Sequence, residues 1–300
     1  MSSTLKEKYS YCRLCARNCG VDRLGGEIGF CKCSATPKIA RASLHHWEEP
    51  IISGVRGSGT IFFSGCSLGC IFCQNAEISF GAHGKEVSEQ RLADIMLELQ
   101  DKGAHNINFV TPTHFAPTVC DAVKIAKAKG LVISIVYNTG SYDNIETVKL
   151  LDGTVDIYLA DYKYNRKQTA KAYSRAENYV EVSRLAIEEM VAQRGEPVVE
   201  NEIMRSGVIV RILLLPGHVA EAKLSVKYLY EKYGDKIYIS LMNQYTPMKN
   251  MPAPLDRRVS SEEYRELVDY AVKKGVSLAF VQDGDTAKES FIPPFDYTGV

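Results

Sequence analysis

Cys66, Cys70 and Cys73 stand in the segment Gly65-Cys66-Ser67-Leu68-Gly69-Cys70-Ile71-Phe72-Cys73, a C-x3-C-x2-C spacing. A cubane iron–sulfur cluster has four irons and is ordinarily held by four thiolates. Three thiolates in one short loop leave one iron without a protein ligand, open to a substrate or cosubstrate. Structural zinc asks for four ligands, so this triplet alone would leave it incomplete. The loop directly follows Thr60-Ile61-Phe62-Phe63, a β-branched and aromatic run that reads as a buried strand. In parallel barrels the carboxyl ends of strands are where function gathers.

A second set, Cys12, Cys15, Cys19, Cys31 and Cys33, runs C-x2-C-x3-C-x11-C-x-C through a glycine-rich segment with little periodicity. Cys12, Cys15, Cys19 and Cys31 suffice for a closed four-thiolate site, with Cys33 left over. Zinc and a second iron–sulfur cluster both accept four thiolates, so the spacing does not separate them. Cys120 lies in an amphipathic stretch and reads as a small buried hydrophobe.

Further chemistry-bearing residues follow the other apolar runs. Asp161 and Lys163 alternate onto one face after Val155–Ala160. A charged pair leaving an apolar strand is costly unless paired or ligated. Arg211 interrupts the apolar run 208–215 and asks for a carboxylate, of a bound cosubstrate or of a buried acid. Asn138, in Tyr137-Asn138-Thr139-Gly140, reads either as a site residue or as a polar turn. In Thr111-Pro112-Thr113-His114 the threonines read as ligand contacts or helix caps, and His114 as a proton donor or a structural histidine. Met242-Asn243-Gln244-Tyr245 fits hydrogen bonding to a nucleobase or a capped turn. Gly57-Ser58-Gly59 precedes a strand, so it is a turn and not a dinucleotide fingerprint. No side chain is singled out as catalytic.

These residues need a scaffold, and the pattern supplies one. Strand-like runs at 60–64, 106–110, 131–137, 155–160, 208–215, 237–242 and 276–281 alternate with helical periodicity. Leu92, Ile95, Met96 and Leu99 repeat at i, i+3, i+4 and i+7, as do Val119, Ala122, Val123 and Ala126, and Tyr264, Leu267, Val268 and Ala271. Such alternation predicts βα units on a parallel sheet. Six or seven units are too few to close an eight-fold barrel, so the expected fold is α/β, a partial (β/α)6 barrel. The expected organisation is a cysteine-rich metal-binding module over 1–45 and the barrel over 46–300, with an elaborated helical connection over 165–205.

Composition excludes some partners. The chain has 300 residues, 36 basic and 36 acidic side chains and zero formal net charge, which gives no bulk attraction for nucleic acid or anionic membranes. No apolar run approaches the roughly 18 residues of a membrane span. Met1–Lys8 lacks an apolar core, so the expectation is a cytoplasmic chain without a signal peptide. In that reducing compartment nine cysteines point to metal or redox chemistry rather than disulfides.

The cysteine triplet resembles the cluster loop of the radical S-adenosylmethionine (SAM) superfamily. Together with Cys19-Gly20-Val21-Asp22-Arg23, Gly29-Phe30-Cys31, Trp47-Glu48-Glu49-Pro50 and Thr111-Pro112-Thr113-His114, the chain is similar to the pyruvate formate-lyase activating enzyme-like subgroup. The resemblance implies a partial barrel, a [4Fe–4S] cluster on Cys66, Cys70 and Cys73, and reductive SAM cleavage to a 5′-deoxyadenosyl radical that abstracts hydrogen. It implies SAM or cation contacts at Asn138, Asp161, Lys163 and Arg211, and an adenine contact after the sixth strand. It also implies an electron donor such as flavodoxin or ferredoxin, and a glycyl radical enzyme as partner. The Gly-Gly-Glu-Pro motif common in these proteins is absent, its place taken by Thr-Pro-Thr-His. Two other readings compete: a radical SAM enzyme for a small molecule or another peptide, and a non-catalytic iron–sulfur or zinc electron carrier.

Overall fold

A computed structural model describes residues 5–81, 83–282 and 293–300. Residues 1–4 of the expected N-terminal module, and 82 and 283–292 of the expected barrel, lie outside the described residues. Ten strands form the sheet system: β1 Lys38–His45, β2 Ser58–Phe63, β3 Lys85–Glu86, β4 Asn106–Val110, β5 Ser134–Thr139, β6 Ile157–Asp161, β7 Val198–Glu200, β8 Ile203–Leu213, β9 Tyr238–Met242 and β10 Ala279–Val281. The helices are α1 Pro50–Ser53, α2 Ala76–Ser79, α3 Glu89–Asp101, α4 Ala116–Ala128, α5 Ile145–Leu150, α6 Lys167–Ser174, α7 Tyr179–Arg194, α8 Val219–Tyr233 and α9 Ser261–Lys274.

The main sheet runs β10-β9-β8-β6-β5-β4-β2-β1-β3. From β2 to β10 every neighbouring pair in it is parallel. The order has two distinct ends, so the sheet curls without closing. This is the expected α/β partial barrel, with a short seventh parallel strand at its edge. β1 pairs antiparallel with β2 from Ile39 to His45, so this end of the cysteine-rich stretch belongs to the sheet. The 165–205 connection consists of α6, α7 and the short antiparallel ribbon of β7 on β8.

Alternation along the strands separates two environments. One face (Ile61, Phe63, Ile107, Phe109, Tyr137, Tyr158, Val210 and Ile239 among others) packs on the helices in one large core. The predicted stripes supply the other side. Leu92, Ile95, Met96 and Leu99 of α3, and Val119, Ala122, Val123 and Ala126 of α4, are all buried. On α9 Leu267 and Ala271 are buried, while Tyr264 and Val268 pack at the margin. Helix ends follow local chemistry: Ser88 caps α3 through the Arg91 N–H, and Ser260 with Glu263 forms a capping box on α9. Among the described residues no helix is long and apolar enough to cross a membrane.

The opposite face lines the lumen. Its amino-terminal end is plugged by α1, whose Ile52 packs with Val136, Ile157, Leu159, Met204 and Ile209 from β5, β6 and β8. The Asn106 amide donates to the Ile52 carbonyl at 2.8 Å and fixes the plug. Ile52→Ala should therefore open a cavity on the barrel axis and cost about 2–5 kcal/mol in urea unfolding of the metal-free protein. A cost below roughly 0.5 kcal/mol, the level of an ordinary surface change, would mean that α1 does not act as a plug.

Candidate active site

At the carboxyl ends of the strands lies a cavity of about 220 Å³. Its wall takes residues from the ends of β2, β4, β5, β6, β8 and β9, and includes Cys66, Cys70 and Cys73 together with Asn138, Asp161, Lys163 and Arg211. The main sequence-derived site residues, up to 145 positions apart in the chain, thus meet at one place.

The cysteine loop leaves β2 through Ser64 and Gly65. Gly65 has φ +84°, and a Cβ there would strike Cys33 Sγ and the Cys31 carbonyl, so backbone angle and space both call for glycine. Within the loop the Leu68 N–H donates to Cys66 Sγ at 3.3 Å. Ser174 Oγ donates to Cys70 Sγ at 3.0 Å, and Cys73 Sγ lies 3.1 Å from Ser79 Oγ. Burial pushes the Cys66 thiol up to about 12 and raises the Cys73 thiol as well. Among the described residues no three His, Cys, Asp or Glu side chains converge on a point as a single metal ion requires. Cys66, Cys70 and Cys73 all line the one cavity. Three thiols on one cavity wall fit a [4Fe–4S] cluster, which Cys66, Cys70 and Cys73 would hold with one iron left without a protein ligand.

That polar wall is built around Arg211. Asp161 and Arg211 are direct register partners on the parallel strands β6 and β8, which brings the carboxylate and guanidinium together by strand spacing alone. Arg211 Nε donates to Asp161 Oδ1 at 2.7 Å, Nη1 to Glu48 Oε2 at 3.0 Å and Nη2 to Asn138 Oδ1 at 2.7 Å. Lys163 Nζ reaches the other Asp161 oxygen at 2.7 Å. Glu48 Oε1 accepts from Asn108 at 3.0 Å and Asn138 at 3.3 Å. The predicted Asp161–Lys163 pair is thus an ion pair and part of the cavity wall at once, and Arg211 finds its carboxylates in two half-buried acids of the same wall.

The two acids differ because their charge environments differ. Burial raises the Asp161 carboxyl, but Arg211 and Lys163 outweigh it and hold the group below the ordinary range. Glu48 has Arg211 as its cation and Asp161 as a repelling neighbour, so burial wins and its carboxyl sits high. Burial likewise raises adjacent Glu49, whose Oε2 is buried without a hydrogen-bond partner among the described residues. Burial lowers Arg211 and Lys163, and Asp161 more than reverses this for both.

Other residues resolve individually. Thr111 and Thr113 line the cavity and cap no helix; Pro112 and Phe115 hold the N-cap positions. Thr111 has φ +58°, and its N–H donates to the Asn138 carbonyl at 2.8 Å. His114 is only 1% exposed and stays out of the cavity wall. Its Nε2 lies 2.8 Å from the Ser64 carbonyl, and burial lowers its pKa, so it is a neutral structural histidine under the cysteine loop. Met242 and Gln244 reach the cavity, whereas Tyr245 is buried behind them. Cys120 is fully buried in α4.

The N-terminal cysteines lie outside this cavity. Cys12 Sγ accepts from Arg23 at 3.7 Å and Cys19 Sγ from the Phe30 N–H at 3.4 Å. A hydrogen bond from Cys33 lowers the Cys31 thiol, aided by the Arg23 guanidinium. Cys33 donates to the Cys31 and Ser64 carbonyls. The absence of a convergent single-ion site among the described residues covers these cysteines too.

Sequence reasoning missed Glu48 as a site residue. The acids Glu48 and Glu49 are conspicuous before Pro50, and Arg211 visibly lacks a partner, but 163 positions separate them. Removing the shared cation should strand Glu48 and leave Asp161 with Lys163 alone: Arg211→Met is expected to cost about 3–5 kcal/mol in urea unfolding of the metal-free protein. Adding Glu48→Gln should recover part of that loss, and no recovery would show that Glu48 is not a charged partner of Arg211.

The model of the Radical SAM superfamily matches residues 60–221, more than half of the chain. An uncharacterized protein from Methanocaldococcus jannaschii is 28% identical over 287 residues, which cover 92% of this chain and 78% of that protein. Three solved structures share the fold. One is anSMEcpe with bound AdoMet and Kp18Cys peptide (TM-score 0.51, 13% identity, 72% of this chain and 60% of that one). The second is the FeFe-hydrogenase maturase HydG from Carboxydothermus hydrogenoformans (TM-score 0.51, 11% identity, 74% and 53%). The third is Streptococcus suis SuiB bound to precursor peptide SuiA (TM-score 0.50, 12% identity, 73% and 46%). The chain spans about half the length of these larger structures. A sheet of seven parallel strands, three cysteines at the end of the first of them and a family match that covers those cysteines and the strands from β2 to β8 lead to one assignment: this chain belongs to the radical SAM superfamily, which implies catalysis with a [4Fe–4S] cluster and SAM.

Proposed function

We propose that this cavity is a radical SAM active site whose hydrogen donor is a peptide segment presented by another chain. The observation behind the site assignment is the meeting of the C-x3-C-x2-C thiols and the Asn138–Asp161–Lys163–Arg211 group on one cavity wall. In this reading Cys66, Cys70 and Cys73 hold the cluster. When bound, a reduced [4Fe–4S] cluster supplies the electron that cleaves SAM to a 5′-deoxyadenosyl radical. The protein's part is binding and orientation. SAM brings a carboxylate and an ammonium, and the wall offers both complements, Lys163 and Asp161, already neutralising one another. Asn138, locked between Arg211 and Glu48, presents an amide of fixed orientation. Phe62, Val110, Leu213 and Met242 supply the apolar lining that keeps water from the reacting centre.

The substrate reading rests on the fold likeness and on the motif resemblance. Two of the fold relatives, SuiB and anSMEcpe, are solved with a peptide. The motif resemblance narrows the peptide to the glycine loop of a glycyl radical enzyme, with flavodoxin or ferredoxin as electron source.

The test is anaerobic. The protein is reconstituted with iron and sulfide, given SAM and dithionite, and 5′-deoxyadenosine is quantified with and without glycine-loop peptides. Turnover that rises with peptide and drops to background in Cys70→Ala is the expected result. Turnover unaffected by any peptide but stimulated by a metabolite extract would overturn the substrate class. An intact cluster without any SAM cleavage under all conditions would favour an electron carrier.

A further inference from the structure

The N-terminal segment is joined to the cysteine loop by one side chain. Arg17, between Cys15 and Cys19, spends four of its guanidinium hydrogen bonds on carbonyls of two distant segments. Nε donates to Ser67 O at 2.9 Å and Nη2 to Leu68 O at 2.9 Å. Nη2 also donates to Ser174 O at 2.7 Å, and Nη1 to Arg175 O at 2.6 Å. Ser67 and Leu68 lie between Cys66 and Cys70. Ser174 is the residue whose hydroxyl donates to Cys70 Sγ, and its neighbour Tyr173 accepts from the Ile71 N–H at 2.9 Å. Arg17 therefore ties the Ser67–Leu68 stretch of the loop to the C-terminus of α6.

The guanidinium is itself held flat. It stacks over Phe30 at 3.8 Å from the ring centroid and lies 5.2 Å from the centroid of Tyr142. Phe30 also abuts Gly69, where φ is +62° and a Cβ would come within 3.2 Å of the ring. The segment carrying Arg17 is anchored in turn on the barrel. The Ala16 N–H donates to Tyr142 O at 3.2 Å, and the Asn144 side chain donates to Arg13 O at 2.6 Å and Cys15 O at 3.0 Å. Four carbonyls in two strips, met by one planar fork, is a geometry that an ammonium cannot reproduce.

We infer that Arg17 is a positioning residue for the cluster loop, through which the N-terminal module fixes the path of the chain between Cys66 and Cys70. The inference rests on the reading of Cys66, Cys70 and Cys73 as cluster ligands. It gives the module a mechanical task at the active site, independent of any metal the module itself holds.

The experiment compares wild type, Arg17→Lys and Arg17→Met. Amide hydrogen exchange is followed over residues 66–73 in the metal-free full-length chain. In the reconstituted protein, cluster loss to EDTA is timed and the electron paramagnetic resonance spectrum of the reduced cluster is recorded with SAM. Arg17→Lys keeps the charge and the aliphatic stem. It should exchange about tenfold faster across 66–73 and lose its cluster about tenfold faster, the scale of one or two ordinary hydrogen bonds lost. The SAM-induced spectral change should broaden or shift, while exchange in β4, β5 and α4 stays at the wild-type rate. Loop exchange, cluster loss and spectrum all at wild-type values in Arg17→Lys would overturn the inference. Global unfolding of both variants would also overturn it, since Arg17 would then support the whole fold and not the loop. A wild type that holds no cluster on these cysteines would refute the site reading instead, and the exchange comparison on the metal-free chain would still decide the role of Arg17.

Discussion

A guanidinium in the lumen of a barrel has to be neutralised largely where it stands, because little water reaches it there. Arg211 is that charge, and much of the active-site wall can be read as the answer to it. Asp161 is its register partner on the adjacent strand. Asn138 meets it from β5, and Glu48 from the connection between β1 and α1. Each contact constrains an element: the register of β6 on β8, the exit of the chain from β5, and the insertion of residues 46–53 into the lumen. Lys163 then balances the extra acid, leaving two carboxylates and two cations as a paired group beside the cysteine loop. A binding wall with both signs of charge already fixed in place needs little reorganisation when a zwitterionic ligand arrives.

The cysteine loop faces a different constraint. It must hold three thiols toward one cavity although its glycines give it little stiffness of its own. Support comes from outside the loop. Arg17 and Phe30 press on it from the N-terminal segment, Ser174 and Tyr173 from the end of α6, and Cys33 and His114 from beneath Ser64. The segments before residue 46 and after residue 165 are thus part of the site's framework as much as the barrel is.

The strand runs read from apolar patterning fall on the seven parallel strands with shifts of a few residues, and the three helical stripes are the buried faces of α3, α4 and α9. These signals are local: burying one face of a helix or strand imposes a period on neighbouring residues. β1 was not legible, because Lys38–His45 pairs antiparallel next to the short edge strand β3 and carries charged and polar residues at half of its positions. His114 looked chemically capable and proved structural, since what distinguishes the two is burial and a carbonyl partner 50 positions away.

By itself the sequence determined the thiol spacing, the order of βα units and the residue types at the strand ends, because each is a property of contiguous residues and their period. The tertiary structure decided the rest. It alone brought Glu48 to Arg211 across 163 positions, and Arg17 to the cysteine loop across 50. It also decided which polar side chains face the cavity and which are sealed behind it. The physical reason is the same throughout: the charge and hydrogen-bond partners of a buried polar group are set by which strands and loops become neighbours, and chain separation carries no record of that.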